Sequence, residues 1–155
     1  MFKIIKPEDA LKPKRRVNRF FIHCSASDVT SRFYFGTDLV KTFNSWHLAR
    51  GWSGIGYHYV IDKDGVLVTG RPLQKVPAAQ AGHNVGTITV CVHGLEIEKF
   101  TKAQYTTLKA LCKTYDRLYN GQITFWPHNA VSNKACPVFD IYDVVGVDRE
   151  TNRLI

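Results

Sequence analysis

Short runs of β-branched and aromatic residues alternate along the chain with two amphipathic segments, and this order constrains the fold more than any other feature of the sequence. The two amphipathic segments start at Thr37 and Thr101. The β-rich runs are "VNRFFIHC" at 17–24, "GYHYVIDKDGVLVTGR" at 56–71, "TITVCVHGLEI" from Thr87 and "QITFW" at 122–126. Strands separated by helical segments build layered α/β domains. We therefore expect an α/β fold, a single domain with a central mixed β-sheet flanked by helices.

The two amphipathic segments carry apolar residues at the spacing of an α-helix. Thr37 is a candidate N-cap of the first segment, and Gly51 is a candidate end. Its apolar stripe consists of Leu39, Val40, Phe43 and Trp46, with Leu48 at the margin. The stripe of the second segment consists of Leu108, Leu111, Cys112, Tyr115 and Leu118. Both segments are predicted to be helices that pack on the sheet.

The run at 56–71 is predicted to be two strands joined by a turn at Asp64 and Gly65. Side chains alternate between the two faces of a strand. In the first strand, alternation places Tyr57, Tyr59 and Ile61 on one face and His58, Val60 and Asp62 on the other.

Residues 1–16 differ from the rest of the chain because they are basic and contain Pro7 and Pro13. We expect them to form an arm that lies on the domain at 17–155. With 155 residues, 45% of them hydrophobic, the chain can build one sizeable core. The sequence has neither an apolar run of about eighteen residues nor a signal-peptide pattern. We expect a soluble protein that is made in the cytoplasm and does not insert into a membrane.

The chain carries 21 Lys and Arg against 13 Asp and Glu, a formal charge of +8. That surplus favours an anionic partner, either nucleic acid or an acidic cell envelope. The sequence lacks the interleaved basic and aromatic stripe of a single-strand binder and any recognition-helix or finger motif, so no nucleic-acid partner is expected. The four cysteines form no CxxC pair. In a cytoplasmic protein, this spacing disfavours a disulfide framework.

The segment "WPHNAVSNKACPVFD" at 126–140 places His128, Lys134 and Cys136 in one short, turn-rich stretch. A catalytic zinc takes three protein ligands from His, Cys and carboxylate and leaves a fourth position for water. His128 and Cys136 can supply two ligands, and His23 is the natural third because it ends a buried strand. The same residues leave a second interpretation open. Cys136 could instead be the nucleophile of a cysteine hydrolase, activated by His128 or His23.

Three motifs carry a resemblance to a known family: "FFIHCSAS", "GYHYVIDKDGVLVTGRP" and "PHNAVSNKACPVFD". In order and separation they resemble the zinc-dependent N-acetylmuramoyl-L-alanine amidases, and small phage endolysins in particular. The type-2 amidase fold of these enzymes is shared with the peptidoglycan recognition proteins. The similarity runs from about Val17 to Ile141.

The resemblance implies a zinc ion held by His23, His128 and Cys136, with Tyr57 and Lys134 as catalytic residues. It also implies the reaction, which is hydrolysis of the amide between the lactyl group of muramic acid and L-alanine in peptidoglycan. An endolysin would wait in the cytoplasm and act on the bacterial cell wall after release. A catalytically silent relative that binds peptidoglycan or another protein is the alternative. Some phage amidases of this type also bind a polymerase, and the sequence leaves that partner open; we expect a monomer.

One stretch departs from the family pattern. Family members often carry a His in a "HAG"-like stretch on the substrate wall, whereas this chain has "AAQAGHN" at 78–84. Gln80 aligns with that His, and His83 follows three residues later. Either His83 takes over the role of that His by a local shift, or the wall binds the glycan differently. Gln80 and His83 are the candidate substrate contacts.

Overall fold

The computed structural model covers residues 1–155 and shows a six-stranded mixed sheet with one helix on each face. The strands are β1 (Ile4–Ile5), β2 (Arg19–Cys24), β3 (Tyr59–Ile61), β4 (Leu67–Thr69), β5 (Thr87–Val92) and β6 (Thr124–Pro127). The helices are α1 (Gly36–Ala49) and α2 (Lys102–Leu118). The predicted α/β class, the mixed sheet and both helices are confirmed. Neither helix combines the length and apolar character needed to cross a membrane.

The strand order in the sheet is β1-β4-β3-β5-β2-β6. β2 lies between β5 and β6 and runs parallel to both, and β3 also runs parallel to β5. β4 and β1 extend the far side of the sheet in antiparallel pairs. The carboxyl ends of β2, β5 and β6 therefore lie at the same edge, where open α/β sheets usually place their ligands.

Two hydrophobic cores cover the two faces of the sheet. The larger core packs α2 through Leu108, Leu111, Cys112 and Tyr115, as the apolar stripe predicts. The smaller core packs Leu39, Val40 and Phe43 of α1 against the opposite face. Leu48 is 51% exposed and lies outside it.

The two helices start in different ways. Thr101 caps α2, since its side chain accepts a hydrogen bond from the Gln104 N–H and the Gln104 side chain accepts one from the Thr101 N–H. The predicted cap of α1 is wrong, because α1 starts at Gly36, one residue before Thr37. The Gly36 N–H instead donates to the buried carboxylate of Asp62 at 2.8 Å, so a residue remote in sequence caps this helix.

The predicted hairpin is confirmed, but its alternation ends at Tyr59. Tyr59 and Ile61 lie on the α2 face, and Val60 lies on the α1 face, as expected. Tyr57 also packs against the core on the α1 face, so its predicted position beside Tyr59 is wrong. Although Tyr57 precedes the amino end of β3, its ring centroid lies 5.3 Å from that of His23.

His58 causes the change of face. Its Nδ1 accepts a hydrogen bond from the Thr89 N–H at 3.1 Å, and its own N–H donates to Thr89 Oγ1 at 3.3 Å. Side chains thus replace a pair of backbone bonds between β3 and β5. Because Nδ1 accepts, Nε2 carries the proton and donates to the Lys75 carbonyl at 2.8 Å. His58 is fully buried, which agrees with a packing role.

The N-terminal segment joins the sheet. Ile4 and Ile5 of β1 pair with Val68 and Leu67 of β4. Further along, Arg15 donates to the Leu73 and Thr87 carbonyls at 2.8 Å each. The domain boundary at residue 17 stays a prediction, although the arm is continuous with the sheet.

Burial lowers the pKa of His58 from 6.5 to about 4. Below pH 6.5 His58 is protonated in the unfolded chain, whereas in the folded chain it stays neutral down to about pH 4. The free energy of unfolding therefore falls as the pH drops through this window. His58→Asn keeps an acceptor for the Thr89 N–H but cannot titrate. We predict that it reduces the loss of unfolding free energy across this pH window by about 3 kcal/mol. Urea unfolding of both proteins from pH 4 to 7 measures the difference. Parallel stability curves would contradict the prediction.

Candidate functional site

Three metal-ligating side chains converge at the carboxyl-end edge of the sheet. His23 is the next-to-last residue of β2, His128 directly follows β6, and Cys136 lies in the loop after it. One ligand atom from each residue can be chosen so that all three lie within 4.8 Å of one another. The centroids of the two imidazole rings are 4.3 Å apart. The structure thus brings together the three residues that were predicted to hold a metal.

Backbone hydrogen bonds hold Cys136 in this position. The Asn129 N–H donates to the Cys136 carbonyl at 2.7 Å, which closes the loop onto the residue that follows His128. The Cys24 N–H donates to Cys136 Sγ at 3.2 Å, which ties the thiol to the end of β2. The loop is therefore anchored to the same strand that carries His23.

Burial and charge favour the metal-binding forms of both imidazoles. Burial, followed by the proximity of His128, lowers the pKa of His23 to about 3. Burial and Lys134 also lower the pKa of His128. Both rings are therefore neutral near pH 7 and can each offer a lone pair to a cation. His128 Nδ1 is buried and has no hydrogen-bond partner, and a bound metal ion would satisfy its lone pair.

The Cys136 thiol is the third donor. Its neighbour, the Cys24 thiol, and burial both raise the pKa of Cys136. A bound cation reverses this effect, because a coordinating thiol is deprotonated. Two imidazoles and one thiol match the donor set and the number of protein ligands of a catalytic zinc site.

His93 also follows a strand at this edge, after β5, but it is not part of the metal cluster. Its Nδ1 bonds with Ser25 Oγ at 2.7 Å, and its Nε2 bonds with the Val29 carbonyl at 2.7 Å. Both ring nitrogens of His93 therefore form hydrogen bonds that hold the loop after β2 in place. It has no lone pair left for a metal.

Tyr57 lies directly beside the cluster. Its ring centroid is 5.3 Å from that of His23. Burial, followed by the thiols of Cys91, Cys136 and Cys24, raises the pKa of Tyr57, so its hydroxyl keeps its proton at neutral pH. The preceding Gly56 packs so closely on the Ala78 carbonyl that a Cβ would lie 2.1 Å from that oxygen. Glycine at this position therefore lets the chain bring Tyr57 to the site.

Lys134 lies on the open side of the cluster. It is exposed and lines a cavity of about 330 Å³ together with His128, Trp52 and Asn84. No carboxylate pairs with its ammonium group. An unpaired cation at the mouth of the cavity can interact with negative charge on a ligand.

Gln80 is completely buried, and its Oε1 lies 2.8 Å from His23 Nε2. Its side chain therefore faces the metal cluster, and a substrate contact by Gln80 stays a prediction. His83 is partly exposed and lies outside the cavity that Lys134 lines. Its backbone N–H donates to the Gln80 carbonyl at 2.9 Å. A substrate contact by the His83 imidazole stays a prediction.

His47 of α1 was missed by the sequence analysis. It is buried, its ring centroid is 5.6 Å from that of Tyr57, and its Nδ1 accepts a hydrogen bond from the Gly56 N–H at 2.9 Å. With Tyr57, Arg50 and Ser25, it lines a second cavity, of about 280 Å³. His47 lies four residues after Phe43, so the helical period could have placed it on the buried face.

Comparisons with known proteins agree with the fold and the residue cluster. The Amidase_2 family, described as N-acetylmuramoyl-L-alanine amidase, matches residues 13–139. The endolysin of Enterobacteria phage T3 is 33% identical over 136 residues, which cover 84% of this chain and 86% of that protein.

Two solved structures are also similar. The N-acetylmuramoyl-L-alanine amidase LysC from Clostridium intestinale is 27% identical with a TM-score of 0.71, and the match covers 85% of each chain. The complex of the peptidoglycan recognition proteins LCa and LCx with tracheal cytotoxin contains a chain that matches with a TM-score of 0.69 and 22% identity, over 88% of this chain and 80% of that one. The second likeness concerns the fold alone.

The chain belongs to the N-acetylmuramoyl-L-alanine amidase family, and its relatives include phage endolysins. The family predicted from the three sequence motifs is confirmed.

If the three donors bind a metal together, cobalt(II) added to metal-free protein should give a thiolate-to-cobalt charge-transfer band in the near ultraviolet. We predict that Cys136→Ser removes this band, because it removes the sulfur ligand. Cys112→Ala is the matched control, since that thiol is buried in the core beneath α2. A band that survives in Cys136→Ser, or disappears in Cys112→Ala, would contradict the assignment of the sulfur ligand.

Proposed function

We propose that this protein is a zinc-dependent N-acetylmuramoyl-L-alanine amidase that acts as a phage endolysin. It would hydrolyse the amide bond between the lactyl group of muramic acid and the L-alanine of the stem peptide. The observation that carries the proposal is the cluster of His23, His128 and Cys136, with two buried imidazoles and an unpaired His128 Nδ1, in a member of this family. The resemblance in the sequence assigns the same three residues to zinc.

His23, His128 and Cys136 would hold the metal, and His128 also lines the cavity beside Lys134. A zinc ion there would supply a nucleophilic water near neutral pH and polarise the carbonyl of the scissile amide. The two neutral imidazoles contribute no charge, and the thiolate contributes one negative charge. The site as a whole therefore keeps a net positive charge, which favours binding of a carbonyl oxygen.

Lys134 would stabilise the negative charge that develops on the carbonyl oxygen during attack. Its ammonium group has no ion-pair partner and lines the same cavity as His128. A cation that meets charge only as the reaction proceeds stabilises the transition state more than the bound substrate.

Tyr57 would act as a hydrogen-bond donor at the reacting amide. Its raised pKa keeps the phenol protonated, so it can orient the substrate or pass a proton towards the departing amine of L-alanine. It lies between the metal ligands and the cavity that His47 lines.

The charge states argue against a cysteine hydrolase. A nucleophilic cysteine needs a lowered pKa, whereas the Cys24 thiol and burial raise the pKa of Cys136. A metal ligand has no such requirement, since the cation itself displaces the proton.

The net charge of +8 would further attract the protein to an anionic cell envelope.

Replacing Lys134 by Ala separates catalysis from metal binding. We predict that Lys134→Ala keeps its zinc and loses about a hundredfold in kcat, as expected when one group that stabilises an oxyanion is removed. Zinc content by atomic absorption and release of amino groups from purified peptidoglycan measure the two effects.

Lys109→Ala is the matched control, because it removes the same charge from an exposed position on α2 that does not line the cavity beside His128. It should match the wild type in both assays. Loss of zinc in Lys134→Ala, or unchanged turnover, would contradict the role assigned to Lys134.

A further inference from the structure

We infer that Gln80 is a positioning residue that fixes the proton of His23 on Nε2 and thereby presents Nδ1 to the metal. The inference rests on the proposed zinc site. It gives a role to Gln80, whose side chain has no solvent-exposed surface.

The contact between the two side chains is short and protected from water. Gln80 Oε1 lies 2.8 Å from His23 Nε2, and the exposed fraction of the two residues is 0% and 1%. Both side chains are therefore shielded from bulk solvent. The protonation of His23 Nε2 therefore depends on which end of the Gln80 amide faces it.

The neighbours of Gln80 determine that orientation. Thr87 Oγ1 lies 2.8 Å from the Asn84 carbonyl, which can only accept, so the single hydroxyl proton of Thr87 is used there. Thr87 Oγ1 must then accept from Gln80 Nε2, which lies 2.9 Å away. The second proton of the Gln80 amide points to the His83 carbonyl at 3.2 Å. Both donors are occupied, so the amide oxygen faces His23.

The direction of these hydrogen bonds continues into the metal site. Because Gln80 Oε1 can only accept, His23 Nε2 must carry the proton of the neutral ring. Its Nδ1 then holds a lone pair and lies 3.9 Å from Cys136 Sγ, within the cluster of donors. Hydrogen bonds of this kind to the distal nitrogen orient metal-binding histidines generally.

The main chain around Gln80 fixes the position of the amide. Asn84 Oδ1 accepts from the Ala79 and Gln80 N–H groups at 3.1 and 2.9 Å. The segment at 79–84 is thereby folded on itself behind His23. An amide that cannot move or rotate selects one tautomer of its partner.

Nitrogen NMR of the metal-free protein tests the inference directly, because the two nitrogens of a neutral imidazole have distinct shifts. We expect the wild type to hold His23 as the single Nε2–H tautomer. Gln80→Leu should populate both tautomers and weaken zinc binding by about 10- to 100-fold. Thr87→Val keeps Gln80 but frees its amide to rotate, and should show a smaller change in the same direction.

Two controls separate this role from loss of stability. Gln104→Leu removes another fully buried glutamine, whose Oε1 accepts from the Thr101 N–H at the start of α2 and whose Nε2 donates to the His93 carbonyl. Thr114→Val makes the matching change in α2. Both should leave the His23 tautomer and the zinc affinity unchanged, even where thermal melting shows lower stability.

The inference is overturned if Gln80→Leu and Thr87→Val both keep a single Nε2–H tautomer and bind zinc within twofold of the wild type. Failure of the proposed function gives a different result. A wild type that binds zinc but releases no L-alanine termini from peptidoglycan would refute the amidase while leaving the tautomer measurement as the test of Gln80.

Discussion

β2 and β6 run side by side in the same direction, so the residues that leave their carboxyl ends emerge next to each other. This pairing places His128 beside His23, although 105 residues separate them in the sequence. The loop that follows His128 then needs to fold back only a few residues to bring Cys136 to the end of β2. The metal cluster is thus a consequence of strand order, and it would be lost if β6 paired elsewhere in the sheet.

Burial gives this cluster its chemical character. Two neutral imidazoles and a protonated thiol lie close together without a carboxylate among them, and one imidazole nitrogen is left unpaired. Buried polar groups are rarely left without partners, because each costs free energy comparable to a lost hydrogen bond. A cation that binds these donors in the folded protein should therefore raise the free energy of unfolding. Gln80 and His93 show the opposite case, since all their polar atoms are used to hold neighbouring segments in place.

Much of the architecture could be predicted from local sequence. In α1, α2 and the β-rich runs, apolar residues repeat with a clear period, because each element must bury one apolar face. Two donors of the site, His128 and Cys136, could be found because a Cys and a His in one proline-containing loop form an unusual pattern. The third, His23, could be found because it ends a buried strand and lies in a motif that resembles the amidase family. The errors arose where tertiary contacts replaced local rules. Asp62 caps α1 from another segment, and the side chain of His58 substitutes for a backbone ladder and turns Tyr57 to the other face. Nothing in the stretch around Gln80 indicates that its amide faces His23, because that contact spans 57 residues.

The most direct test of the zinc amidase is mass spectrometry of purified peptidoglycan after incubation with the protein, with and without a chelator. We expect stem peptides with free L-alanine amino termini in the untreated sample and intact strands in the chelated sample, with activity restored by added zinc. Products that form equally in the presence of chelator, or strands left intact by protein shown to contain zinc, would contradict it.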